Sequence, residues 1–93
     1  YPYQASQGSC KKNKPVVVSA KGYVSIPTNE TNLKIAVATQ GPVSVAVNAD
    51  QLQFYSQGIF NTSCSTVVNH GVLVVGYGTI DATGAQYWII KNS

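Results

Sequence analysis

The chain has 93 residues and a formal net charge of +3 at pH 7, with 44% hydrophobic and only 10% charged residues. That length allows at most one small domain, and the low charge excludes a solvated, disordered tail. No apolar run is longer than that of Val72 to Val75, far short of the roughly 18 residues of a membrane helix, and the only basic cluster, Lys11, Lys12 and Lys14, reads as a solvated loop rather than a nucleic-acid or membrane surface.

Tyr1 to Pro15, rich in Gly, Ser, Asn, Lys and Pro, reads as an irregular loop. Val16 to Pro27 carries β-branched residues and Tyr23 around Gly22, which predicts a strand with a bend or bulge. Thr28 and Asn29 are candidate caps for a helix over Leu33 to Thr39, whose Leu33, Ala36 and Val37 share one face. Gly41-Pro42 ends it. Pro42 to Ala49 alternates, with Val43, Val45 and Val47 on one side and Ser44, Ala46 and Asn48 on the other, so a strand is expected. Asp50 to Gln57 suits a short helical turn stopped by Gly58. Asn69 to Tyr77 reads as a buried strand interrupted by Gly71 and Gly76. Ala82 to Gly84 reads as a turn and Gln86 to Lys91 as the returning strand of a hairpin. The expected class is α+β: four or more mostly antiparallel strands in a twisted sheet or open barrel, with one or two short helices.

The two cysteines, Cys10 and Cys64, belong to no CxxC pair, so a zinc site is not expected. They could pair with each other or with cysteines outside the chain. Asn29-Glu30-Thr31 and Asn61-Thr62-Ser63 fit the N-glycosylation pattern, making Asn29 and Asn61 candidate acceptors. Together with the cysteines they lean toward the secretory route. The chain shows no initiating Met and no signal peptide, and it breaks off at Lys91-Asn92-Ser93, so a fragment or processed chain is expected.

His70 is the sole histidine. A histidine at the start of a strand can act as a general base near neutral pH, or it can be satisfied by backbone groups in the core. Asn92 follows 22 residues later, at the end of the hairpin's second strand. Antiparallel pairing returns the chain to where it left, so the two residues should be neighbours. An Asn side-chain oxygen accepting the imidazole N–H would fix the ring and leave the other nitrogen for a nucleophile. Read alone, Asn92 could equally be an ordinary strand-end residue.

The segment Asn69-His70-Gly71-Val72-Leu73-Val74-Val75-Gly76-Tyr77-Gly78 resembles the histidine segment of papain-like cysteine proteases of the cathepsin L type. Tyr87-Trp88-Ile89-Ile90-Lys91-Asn92-Ser93 resembles the asparagine segment of the same family. Three further stretches match in order: Tyr1-Pro2-Tyr3 ahead of Cys10, Gly41 to Val47, and Phe54 to Phe60 ahead of Cys64.

The resemblance implies the β-rich C-terminal portion of a papain-like endopeptidase, occupying 1–93, without the helical portion that bears the nucleophile. His70 would be the base and Asn92 its orienter in a Cys-His-Asn mechanism. The nucleophilic cysteine would lie about 60–80 residues before Tyr1, so the segment by itself should hydrolyse nothing. Ala46, Val68 and Gly71 would line the pocket for the second residue before the scissile bond, and the Asn69 carbonyl would hold the substrate peptide. Asn69 stands where many relatives carry Asp, and its replacement by Asp is expected to alter the pH profile only modestly. Cys10 and Cys64 would each bridge to a cysteine outside the chain, not to each other. No cofactor or metal is implied. Expected partners are protein or peptide substrates, the helical domain of the same enzyme, and a propeptide or cystatin-like inhibitors, with no nucleic acid and no membrane. The expected location is lysosomal, vacuolar or secreted. The alternative is a catalytically inactive homologue acting as a binding module, and the residue at the nucleophile position separates the two.

Overall fold

In a computed structural model, which describes residues 2–93, one helix rests on a three-stranded antiparallel sheet. The helix, α1, spans Glu30–Gln40. Asn29 adopts the extended backbone of a cap, and its Oδ1 accepts the N–H of Thr31 at 2.7 Å and of Asn32 at 3.4 Å. Helix formation therefore begins at Glu30, three residues ahead of the apolar periodicity, because the cap fixes its start. Gly41, at φ 96°, closes the helix by donating its N–H to the Val37 carbonyl, a conformation that favours glycine. Of the predicted apolar face, Val37 is buried and Leu33 and Ala36 are half-buried.

Strand β1, Val43–Val47, pairs with β2, His70–Thr79, which pairs in turn with β3, Gln86–Lys91. Val43 faces Val74, Val45 faces Val72 and Val47 faces His70. Directly opposed residues of an antiparallel pair share a face, so the three β1 valines, Val72, Val74 and His70 lie on one side of the sheet. The helix packs against β1 and β2, and the buried apolar residues are Val37, Val72 and Val74. Lys34 of α1 places its ammonium 5.0 Å from the centroid of the Tyr77 ring, and Tyr77 meets Trp88 edge-on at 6.2 Å.

Glycines 71 and 76 do not interrupt β2. Gly76 instead follows a bulge: Val74 pairs with Ile90 and Gly76 with Ile89, leaving Val75 as the extra residue. Gly78 lies under the Tyr87 ring, where a Cβ would come within 2.5 Å of Cζ. Residues 80–85 connect β2 and β3, closed by Ile80 N–H to the Ala85 carbonyl and by Gly84 N–H to the Ile80 carbonyl, both 2.8 Å, with Gly84 at φ 71°.

The α+β class, the antiparallel pairing and an open sheet are as expected, but among the described residues the sheet has three strands where four or more were expected. The predicted strand Val16 to Pro27 does not form. Val16, Val17, Val18, Tyr23 and Val24 are each at least 79% exposed. β-Propensity reflects fit to a paired, half-buried surface rather than a backbone preference, and among the described residues no strand pairs with this segment. The extension of such unpaired chain raises the radius of gyration to 16.3 Å, against about 12 Å for a globular chain of this length. Of the helical turn expected at Asp50 to Gln57, only a 3-10 turn at Leu52–Phe54 forms.

Candidate active site

The hairpin sets the site. Leu73 pairs with Lys91 across β2 and β3, so the next residue, Asn92, stands level with Val72 and on its face. His70 is two residues before Val72 on that same face. The two residues are therefore diagonal cross-strand neighbours, a spacing that long side chains bridge. They do: Nε2 of His70 lies 2.7 Å from Oδ1 of Asn92. His70 is half-buried and Asn92 exposed.

A second bond fixes the chemistry of the first. Oδ1 of Asn92 also accepts the backbone N–H of Ser93 at 2.8 Å. A backbone N–H can only donate, so the side-chain atom at that place must be the carbonyl oxygen and not the amide nitrogen. Nε2 of His70 must then carry the proton it shares with Asn92, and in the neutral ring Nδ1 holds the lone pair. The result is an imidazole of fixed tautomer whose Nδ1 has no hydrogen-bond partner among the described residues.

His70 and Asn92 open onto a shallow cleft of about 400 Å³, lined also by Ala49, Asp50, Leu52, Gln53 and Asn69. Neither Cys10 nor Cys64 lines it; both are free and exposed. Asn69 is tied to the end of β1 at three points. Its N–H donates to the Val47 carbonyl at 3.0 Å, its Oδ1 accepts the Ala49 N–H at 2.9 Å, and its Nδ2 donates to Oδ1 of Asp50 at 2.7 Å. An aspartate at 69 would set one carboxylate against another, a conflict with no local sign in the sequence, so the modest effect expected of that replacement leaves out Asp50. The roles of Asp50 and its partner Asn48 escape sequence reasoning; the one available signal is the pair of polar residues, Asn48 and Asp50, directly after an apolar strand.

Ala46 and Gly71 are direct cross-strand partners, both exposed, on the sheet face opposite His70. Val68 is 56% exposed in the segment leading into β2. Tyr1 lies outside the described residues, while Pro2 and Tyr3 are exposed. Asn29 and Asn61, the glycosylation candidates, are both exposed.

An imidazole held by a carboxamide is an arrangement that can serve as the base half of a centre for nucleophilic catalysis. The family model described as papain family cysteine protease matches residues 1–93. The chain belongs to the papain family of cysteine proteases. It is 43% identical over 97 residues to vignain from Vigna mungo, covering 100% of this chain and 26% of that protein. It is 49% identical over 100 residues to procathepsin L from Rattus norvegicus, covering 100% of this chain and 30% of that protein. Among solved structures, bromelain from Ananas comosus in complex with the E64 inhibitor superposes with a TM-score of 0.84 at 43% identity, covering 100% of this chain and 44% of the other. The chain thus spans about a quarter of the length of the curated relatives it matches.

Proposed function

We propose that this chain supplies the histidine–asparagine half of a cysteine endopeptidase centre, and that a thiol from a helical portion outside residues 1–93 completes it. The observation that carries the reading is the 2.7 Å contact between His70 Nε2 and Asn92 Oδ1 beside an open cleft. In the resting centre Nδ1 of His70 takes the thiol proton, and the resulting imidazolium holds the sulfur as thiolate. The thiolate attacks the scissile carbonyl carbon. The C–N bond then breaks as His70 returns the proton to the departing amine, leaving an acyl-enzyme that water hydrolyses. Asn92 holds the ring plane through both proton transfers.

Ala46 and Gly71, paired on the sheet face away from His70, and Val68 ahead of β2 would offer small and apolar groups to an apolar side chain two residues before the scissile bond. The Asn69 carbonyl meets the substrate backbone. Cys10 and Cys64 each bridge to a cysteine outside the chain. Asn29 and Asn61 carry glycans in a lysosomal, vacuolar or secreted enzyme. At Asn29 the capping oxygen and the amide nitrogen to be glycosylated are different atoms, so both roles are compatible.

The test is turnover of a Phe-Arg reporter peptide by the full-length protein and by the pure segment. The full-length protein is expected to turn it over and the segment not to. Turnover by the segment, or an inert full-length protein with Ser or Gly at the nucleophile position, defeats the reading.

A further inference from the structure

Asp50 lies where β1 leaves the sheet, and its carboxylate is engaged on both oxygens. Oδ1 accepts from Nδ2 of Asn69 at 2.7 Å, and Oδ2 from Nδ2 of Asn48 at 3.3 Å. Asn48 in turn accepts the Asp50 N–H on Oδ1 at 3.2 Å and donates through Nδ2 to the Val67 carbonyl at 2.7 Å. Gln53 caps the Asp50 carbonyl at 3.0 Å. These bonds join the exit of β1 to the two residues that frame position 68, immediately ahead of His70. They border the cleft that holds His70 and Asn92.

We propose that Asp50 is a positioning residue for His70, acting through Asn69 as a carboxylate–carboxamide clamp that fixes where β2 begins. Asn69 can satisfy the clamp because its side chain carries an acceptor for Ala49 N–H and a donor for Asp50. An aspartate has no such donor. The shorter of the two charge-assisted bonds to the Asp50 carboxylate is the one from Asn69, and its loss loosens the side chain adjoining His70. The donor and acceptor roles are exchangeable between the two positions. An asparagine at 50 can donate to an aspartate at 69 while accepting from Asn48, so the exchanged pair keeps every bond.

The kinetic part of the test rests on the cysteine endopeptidase reading, and the spectroscopic part does not. Full-length enzyme is compared as wild type, Asp50→Asn, Asn69→Asp and the double exchange Asp50→Asn/Asn69→Asp. Asn69→Asp is expected to lower kcat about tenfold and Asp50→Asn about threefold, with KM within about twofold of wild type, and the double exchange should recover most of the loss. The hydrogen-bonded Nε2 proton of His70, followed by proton NMR, should broaden through faster exchange in Asn69→Asp and sharpen again in the double exchange. Losses that multiply in the double exchange, or a KM change with kcat intact, overturn the proposal. Should the wild type prove inert, the endopeptidase reading falls, and the recovery or non-recovery of the Nε2 proton still decides for or against the clamp. A purely structural loop bond would move the melting temperature alone and leave kcat and that proton unchanged.

Discussion

Nε2 of His70 and Oδ1 of Asn92 stand 2.7 Å apart, and the Ser93 N–H on the same oxygen dictates which way the carboxamide faces. Replacing Asn92 by Ala removes the partner of the ring's Nε2 among the described residues. A hydrogen bond to a charged group is worth about 1.5–3 kcal/mol, so kcat of the full-length enzyme should fall about ten- to hundredfold. Asn92→Asp should be milder, because an oxygen acceptor remains. Steady-state kinetics of both variants checks the order; an Asn92→Ala enzyme as fast as wild type would remove the orienting role.

The Tyr87 ring closes over Gly78, leaving no room for a methyl group. Gly78→Ala should destabilise the full-length protein by about 1–3 kcal/mol through overpacking. Shrinking the ring in Gly78→Ala/Tyr87→Leu should return part of that loss. Denaturant unfolding of the three proteins provides the comparison, and equal midpoints for Gly78→Ala and wild type would contradict the packing.

Val74, 2% exposed, sits where the helix meets the sheet. Val74→Ala deletes two buried methyl groups and leaves a void, costing about 2 kcal/mol. The neighbouring Val75, 40% exposed at the bulge, should tolerate the same change at under about 1 kcal/mol. The contrast between adjacent valines is read by the same unfolding measurement, and equal losses would argue against the register.

Asn29→Ala removes the cap of α1 and should cost about 1 kcal/mol. The same change removes a candidate glycan acceptor, so Thr31→Ala serves as a partner: it abolishes the glycosylation pattern and keeps the capping oxygen. A mobility shift in both variants, with stability lost only in Asn29→Ala, is the expected pattern. No mobility shift in either shows the site unmodified.

The helix and β1 were legible because their signals are local: a capping Asn, a three-four spacing, a Gly-Pro stop and a run of alternating valines. The His70–Asn92 relation was legible because antiparallel return is a topological consequence of a hairpin, whatever the exact register. The segment Val16 to Pro27 misled because β-branched composition states what a pairing partner would favour, not that one is present. The Asn69–Asp50 bond joins residues 19 apart through a loop whose path no periodicity encodes. It became visible only once β1 and β2 were paired.

The most direct test of a histidine that ionises a thiol is the pH dependence of alkylation of the nucleophilic cysteine in the full-length protein, wild type against His70→Ala. The wild-type thiol is expected to react rapidly well below the ordinary range. In His70→Ala it should react only as pH approaches an ordinary thiol pKa of about 8.5. Superimposable profiles would contradict it.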